Sequence, residues 1–404
     1  MSKKTIWVLN QTAGKPTSGW GERHYYFAQK WIEKGYDVMI ISGSYNHLFH
    51  TQPEIGKKPF TLERIDEKLS FCWVKTPPYF DGGVRKFWSN MVFMFRLFFL
   101  PFSKLSRPNY IIVSSMPIFP ILNGYLLRRK FKAKKLITEI RDLWPLTPMY
   151  LLGYSKNHPL IKIVGWFEKF AYKQSDAIVS LLPNAATYIN AISKDANKFH
   201  WIPNGIDEDL LDHESISNEM ISQFPNNKFI IGYAGTMGMA NALEYFVAAS
   251  TLMQHEERIH FVLVGDGYLK EGLLVQTNNQ KNISFLPKVK KNQVQALLSN
   301  FDVCFIGRNN TPLFDHGVSS NKYFDYMLAC KPVLVSSNLI KDPVELSGCG
   351  ITVAPESAQA IVDGIQRLSN LSTEELNKFG RLGKQYVKKY HNFEYLSNQY
   401  LKLF

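Results

Sequence analysis

The sequence predicts an α/β protein made of two doubly wound, Rossmann-like domains, and three observations carry that expectation. Short Val- and Ile-rich runs alternate with helix-length amphipathic segments along the whole chain, the pattern of parallel sheets covered on both faces. The 404 residues exceed one ordinary domain. The rhythm breaks at WIPNGIDEDL (201–210), where Pro203-Asn204-Gly205 interrupts it.

The elements follow in order. MSKKTIWVLNQTAG has too short an apolar run for a signal-peptide core, and TIWVLN (5–10) reads as a first strand. A glycine-bearing loop and a helical pattern from Glu22 to Lys34 come next. The runs DVMIIS (37–42), FCWVK (71–75), YIIVSS (110–115), KLITEI (135–140) and DAIVSL (176–181) complete the first set. The second set is KFIIGYAG (228–235), IHFVLVG (259–265), ISFL (283–286), DVCFIG (302–307), PVLVSS (332–337) and GITVA (350–354). Two sets mean two domains, 1–203 and 204–384. The helical tail from Thr373 to Phe404 exceeds what the second sheet needs, so part of it, 385–404, is expected to pack on the first domain. Ligands of open parallel sheets bind at the carboxyl ends of the strands, here expected in a cleft between the domains.

At 45% hydrophobic and 20% charged the composition is globular. The net charge of +13 is uneven: residues 1–204 carry 29 Lys and Arg against 13 Asp and Glu, residues 205–404 carry 18 against 21. A basic first half points to a polyanionic partner, nucleic acid or an anionic membrane surface. VRKFWSNMVFMFRLFFLPFSKL (84–105) is too short of apolar residues to span a bilayer. It reads either as a buried helix with snorkelling ends or as a helix lying in a lipid headgroup layer, with RRKFKAKK (128–135) adding attraction to lipid phosphates. Cys72, Cys304, Cys330 and Cys349 lack metal spacing and read as reduced thiols of a cytosolic protein.

Four motifs carry chemistry. In SGWGERH (18–24), Gly19 and Gly21 permit positive φ and close backbone approach, although no dinucleotide fingerprint is completed. GYAGTMGMANALEYF (232–246) reads as strand, turn and helix, with Gly235, Thr236 and Gly238 in a turn whose amides suit phosphate. FVLVGDGYLKEGL (261–273) places Gly265, Asp266 and Gly267 after a buried strand, where Asp266 either caps the next helix or lines a nucleotide pocket. SSNKYFDYMLACKPVL (319–334) is the most informative. With Ser319 or Ser320 as N-cap, the amides of Asn321, Lys322 and Tyr323 are open donors at a helix start. Lys322 adds a full charge to the dipole, and Asp325 one turn in can accept from vicinal hydroxyls. That arrangement suits a diphosphate and a sugar. No metal-ligand spacing, Walker motif or nucleophile elbow occurs, and Asp207-Glu208-Asp209 follows the Pro-Asn-Gly break as a solvated linker string.

The ordered set GWG, PNGID, GYAGTMG, LVGDG and SSNKYFDYMLACKPVL resembles the retaining GT-B glycosyltransferases of family 4. It looks closest to bacterial members that build O-antigen and capsule sugars, including the N-acetylfucosaminyl transferase branch. The resemblance implies an acceptor-binding first domain and a donor-binding second domain. It implies a metal-independent, cofactor-free hexosyltransferase that takes an N-acetylated hexosamine or deoxyhexosamine from a UDP-sugar. The implied acceptor is a glycan on undecaprenyl diphosphate, at the cytoplasmic face of the bacterial membrane. By the same resemblance Gly19 and Gly21 lie near donor phosphate and acceptor. Asp325 is the second acid of the family's Glu-x7-Glu motif, and Gly317 stands where the first would fall. Asp315, His316 or the 319–322 amides would then replace that contact. The phosphate turn carries Thr236 and Met239 in place of basic residues, which leaves Lys322 or Arg308 to supply charge. In EIRDLWP (139–145), Arg141 and Asp142 stand where a histidine is usual, so Asp142 becomes the candidate for orienting the acceptor. The rival readings are a nucleotide-sugar 2-epimerase of the same architecture and, from another class, a non-catalytic nucleic-acid binder using the basic half.

Overall fold

The computed structural model describes residues 4–80, 83–210, 214–277 and 280–404. They fall into two compact units, one running to Asn204 and taking up Phe393–Phe404, the other Gly205–Asn392.

The first unit holds an eight-stranded sheet of β1 (Lys4–Leu9), β2 (Tyr36–Gly43), β3 (Phe60–Arg64), β4 (Leu69–Val74), β5 (Tyr110–Ser114), β6 (Lys135–Ile140), β7 (Ala177–Ser180) and β8 (Phe199–Trp201). Its order is β3-β4-β2-β1-β5-β6-β7-β8. Every pairing is parallel except the edge pair β3–β4. The central strands are buried on both faces, with Ile6, Trp7, Val8 and Leu9 all fully inaccessible, which is why they read as unbroken apolar runs. The sequence reading did not anticipate β3 and β8. β3 (FTLER) is an edge strand with no buried residue, and β8 has three residues, so neither carries a buried run.

Helix Arg23–Glu33 and the terminal helix Phe393–Leu401 pack through aromatic rings: Phe27 meets Phe393 at 5.2 Å and Tyr400 at 5.0 Å, and Trp31 meets Tyr400 at 5.4 Å. Beneath them lies a buried ionic cluster. Glu139 accepts from Arg23 Nε (3.0 Å), Ser114 Oγ (2.9 Å) and the Tyr400 hydroxyl, and His24 Nε2 stands 3.2 Å away. Arg23 also donates to the carbonyls of Ile202 (2.8 Å) and Pro203. Burial alone would raise the Glu139 pKa, but Arg23 and His24 hold it well below the usual range, so the carboxylate is ionised.

The aromatic stretch forms helix Val84–Arg96 and two short turns, Leu97–Phe99 and Phe102–Lys104. Ser89, Phe93 and Leu97 face the core, whereas Trp88, Phe95 and Phe99 are about 60% exposed. One face of this helix is therefore not covered by the unit that holds it.

The second unit has a six-stranded parallel sheet of β9 (Phe229–Ala234), β10 (Ile259–Val264), β11 (Ile283–Leu286), β12 (Val303–Gly307), β13 (Val333–Ser336) and β14 (Gly350–Val353). The order is β11-β10-β9-β12-β13-β14. The chain winds outward from β9 and then returns to place β12 on its other side, so the switch point lies between β9 and β12. Helix Asn321–Leu328 follows β12, and helix Thr373–Tyr390 begins with a Ser372/Glu375 capping box. The linker acid Glu208 is solvated as expected and also pairs at the surface with Lys388 (2.5 Å) and Lys384 (3.0 Å), which hold its pKa down. Among the described residues no helix is long and apolar enough to cross a membrane. All four cysteines are free, with Cys330 alone partly exposed.

Candidate functional site

The switch point of the second unit gathers most of the singled-out residues. Gly235 and Thr236 follow β9, Gly265-Asp266-Gly267 follow β10, and Arg308 follows β12. The two glycine turns lie against one another. Gly235 N donates to Val264 O (2.9 Å), and Met237 N to Asp266 O (2.8 Å). A Cβ on Gly265 would come within 2.0 Å of Gly235 O, and one on Gly267 within 2.3 Å of Met237 O. Both glycines also have φ near +150°, so no side chain fits at either position.

Lys322 bridges the switch point. Its Nζ donates to Asn241 Oδ1 (2.7 Å) and to the Tyr233 hydroxyl (3.3 Å). Those two residues in turn donate to Thr236 O, at 2.9 Å from Asn241 Nδ2 and 2.6 Å from the Tyr233 hydroxyl. The lysine stem runs past Gly235, where a Cβ would meet its Cδ at 3.1 Å. Burial, then the charge of Arg308, push the Lys322 pKa well below the ordinary lysine value, while Asp325 draws it back. The side chain is only half-buried, so water moderates that shift.

Arg308 is 7% exposed, yet its Nε and Nη2 are buried without a hydrogen-bond partner. Its Cζ lies 5.8 Å from the Phe314 ring centroid. A guanidinium with two nitrogens unsatisfied in the interior is costly unless a ligand completes it. Phosphate oxygens fit that planar donor set.

Helix Asn321–Leu328 has Ser320 at its N-cap, but the Ser320 side chain makes no capping bond, and Tyr323 N is taken by Ser320 O (3.2 Å). The expectation of three open amides is thus corrected: Tyr323 contributes a buried side chain, since its amide already closes the first turn. The GTMG turn leads into a 3-10 turn, Met239–Asn241, and the helix starts only at Leu243, so no helix start follows directly on that turn. Asp266 accepts from Gly267 N (2.9 Å) and does not cap helix Lys270–Gln276. Gly238 is buried, Thr236 and Asp315 are exposed, and His316, Ser319 and Ser320 are half-buried. Gly317 closes the 3-10 turn Pro312–His316 with φ of 87°. Asp325 is 8% exposed and its Oδ1 is held by Lys291 Nζ at 2.5 Å.

In the first unit Gly19 (φ 67°) and Gly21 (φ 81°) turn the loop between β1 and helix Arg23–Glu33. A Cβ on Gly21 would lie 2.3 Å from Thr12 O. Arg141 and Asp142 leave the end of β6, with Arg141 N donating to Ser115 Oγ (3.0 Å) and Asp142 exposed. Among the described residues no three His, Cys, Asp or Glu side chains gather as a metal would require.

Sequence reasoning missed Lys291, Tyr233, Asn241 and Asp342. Lys291 and Asp342 stand in unremarkable sequence, Tyr233 and Asn241 inside the singled-out 232–246 stretch, and each partner lies 19 to 89 positions away. No local pattern signals such pairs.

Residues 18–210 match the family model described as Glycosyltransferase Family 4, and residues 228–370 match Glycosyl transferases group 1. A curated relative, the putative colanic acid biosynthesis glycosyl transferase WcaI of Escherichia coli K12, is 23% identical over 272 residues, which cover 63% of this chain and 65% of that one. Among solved structures, sucrose-phosphate synthase of Thermosynechococcus elongatus superposes with a TM-score of 0.74 at 16% identity, covering 99% of this chain and 98% of that one. Anabaena Alr3699/HepE, in complex with UDP and glucose, superposes with a TM-score of 0.66 at 13% identity and the same coverage. Both units are matched, each by a glycosyltransferase model, and the chain has the two-domain GT-B architecture of the solved structures it superposes on.

Proposed function

We propose that the chain transfers a sugar, with retention of configuration and without a metal ion, from a UDP-sugar to a lipid-linked glycan during assembly of a bacterial surface polysaccharide. The observation that carries the donor half of this reading is the buried Arg308 guanidinium with two unpaired nitrogens at the switch point, close enough to Lys322 to depress its pKa. The UDP held by HepE, on the same fold, supports the choice of base, and the name of the WcaI relative supports the polysaccharide context.

The chemistry follows from charge. As the bond from the sugar's anomeric carbon to the diphosphate breaks, negative charge grows on the leaving phosphate and positive charge on the sugar. Arg308 and Lys322 stabilise the phosphate more as that charge develops, which lowers the barrier. In this reading Asp325, with Lys291 fixing one of its oxygens, orients a sugar hydroxyl through the other. The acceptor oxygen bonds to the anomeric carbon on the face the phosphate leaves, and its proton passes to the departing phosphate oxygen. In this reading Asp142 and Arg141, at the end of β6 in the first unit, orient the acceptor. The exposed aromatic face of helix Val84–Arg96, with Arg128, Arg129 and Lys130 ending a neighbouring helix, supports a peripheral position on an anionic membrane.

A thermal-shift panel of UDP, GDP, ADP and CMP, each with and without EDTA, tests the donor reading. A ligand at 100 times its Kd adds about 2.7 kcal/mol of stability. A rise with UDP alone, unchanged by EDTA, is expected. No rise with any nucleotide overturns the donor site.

A further inference from the structure

Lys322 belongs to a closed ring of four hydrogen-bonded groups. Its Nζ donates to Asn241 Oδ1 (2.7 Å) and to the Tyr233 hydroxyl (3.3 Å), and both of those side chains donate to the carbonyl of Thr236. A carbonyl oxygen only accepts, so Asn241 must turn its Nδ2 to Thr236 and its Oδ1 to the lysine, and the Tyr233 proton must point to Thr236 as well. Asn241 is fixed from behind. It ends the turn Met239–Asn241, its amide donates to Gly238 O (3.0 Å), and a Cβ on Gly307 would lie 2.5 Å from its carbonyl oxygen. Gly235 clears the lysine's path, since a Cβ there would meet Lys322 Cδ at 3.1 Å and the Tyr233 hydroxyl at 3.2 Å.

What the ring leaves over points to a ligand. An ammonium has three N–H bonds. Asn241 and Tyr233 take two, and among the described residues the third has no acceptor. Both partners are neutral. Asp325, three residues further along the helix, is engaged by Lys291 at 2.5 Å, and among the described residues no acid pairs with Lys322. A half-buried charge with neutral partners alone is poorly compensated until an anion arrives. A tie that only joined helix Asn321–Leu328 to the turn after β9 would need no charge at all.

We infer that Asn241 and Tyr233 are positioning residues for Lys322: they hold its ammonium against the turn after β9 so that the third N–H meets an oxygen of the donor diphosphate. This rests on the donor reading above. The ring fixes the lysine rotamer before ligand arrives, which reduces what must be ordered on binding. Only an amide can accept from the ammonium and donate to the carbonyl at once, which is why Asn241 and neither Asp nor Leu suits the position. Thr236 O also accepts from Gly238 N (3.1 Å). Removing either side-chain donor therefore leaves that carbonyl satisfied and the turn in place.

The test is a double-mutant cycle read by calorimetry, with UDP and uridine as probes. Lys322→Met is expected to weaken UDP at least about tenfold. Asn241→Leu should weaken it about threefold to tenfold alone, and should add little once Lys322→Met is in place. Tyr233→Phe, which keeps the ring, should behave likewise and serves if the Asn241 variant folds poorly. Uridine, which lacks phosphate, should bind all the proteins alike. The UDP-to-uridine affinity ratio should fall with rising pH as the ammonium loses its proton. In Asn241→Leu that fall should begin at lower pH, because an acceptor that favours the charged form is gone. Arg308 and Asp325, whose charges also act on Lys322, are the same in both proteins. Losses that add in the cycle, an unshifted pH profile, or unchanged UDP affinity in both Asn241→Leu and Tyr233→Phe overturn the positioning role and leave the donor site standing. Equal losses for UDP and uridine also overturn it, since they mean general damage. Wild-type protein that binds no UDP overturns both readings.

Discussion

The hydroxyl of Tyr400 donates to the carboxylate of Glu139, 261 positions earlier in the chain. This bond joins the terminal helix to the end of β6, and it stands in a fully buried cluster where Arg23 supplies the opposing charge. Tyr400→Phe removes a hydrogen bond to a charged group and is expected to cost about 1.5–3 kcal/mol. Glu139→Gln leaves the Arg23 charge buried without its partner and is expected to cost about 3–5 kcal/mol. Urea unfolding of both variants checks the ranking. A Glu139→Gln protein as stable as wild type would mean that Arg23 finds another acceptor.

The Lys291–Asp325 pair predicts a split between nucleotide and nucleotide sugar. If Asp325 serves the sugar and Arg308 the phosphates, Asp325→Ala should weaken a UDP-sugar about tenfold while leaving UDP nearly unchanged. Equal weakening of both ligands, measured by calorimetry, would place Asp325 outside the sugar subsite.

Glu168 sets a pH dependence. The side chain is 2% exposed on helix Pro159–Gln174, with Tyr188 donating to Oε2 at 3.0 Å and Oε1 unpaired, and burial pushes its pKa up to about 8. An acid whose pKa is raised by folding binds more protons in the folded state, so its contribution is present below the unfolded value and lost as pH rises. Between about pH 4.5 and pH 8 the slope from this residue is roughly −1.4 kcal/mol per pH unit at most. Glu168→Gln should flatten that slope and be more stable than wild type at pH 8. Parallel stability curves for the two proteins would show that the carboxyl is neutralised some other way.

Trp88, Phe95 and Phe99 predict membrane docking. Co-sedimentation with vesicles containing phosphatidylglycerol should exceed that with phosphatidylcholine alone and weaken with salt. Trp88→Ser together with Phe95→Ser and Phe99→Ser should reduce binding at least tenfold while leaving the UDP response intact. Binding unaffected by the triple substitution would exclude this face from the contact.

Much of the architecture was legible. All six strands of the second sheet, and six of eight in the first, lie where the apolar runs stand, because strands covered on both faces bury nearly every residue in turn. Gly19 and Gly21 were legible as positive-φ positions, and their φ of 67° and 81° agree, whereas the close approach at Gly265 and Gly267 is set by the packed turns. The two omitted strands, β3 and β8, are edge strands without a buried run, so their pairing left no trace in the residue pattern.

The site divides along the same line. Local sequence was enough to mark Lys322, Asp325 and the glycine turns as candidates, since helix starts and strand ends are written in consecutive residues, whereas Arg308 entered only through the family resemblance. It could not say that Lys322 would be tied to Tyr233 and Asn241, that Lys291 would hold Asp325, that Tyr323 would turn its hydroxyl to Asp342, or that Tyr400 would reach Glu139. Those pairings join residues far apart in the chain, and an isolated helix or strand expresses no preference for them. Secondary structure and its amphipathic faces were determined by the sequence alone, through short-range sterics and periodic burial. Which charged and hydroxyl groups meet was decided only when the sheets closed their cores, because the desolvation that makes each such pair matter exists only in the packed interior.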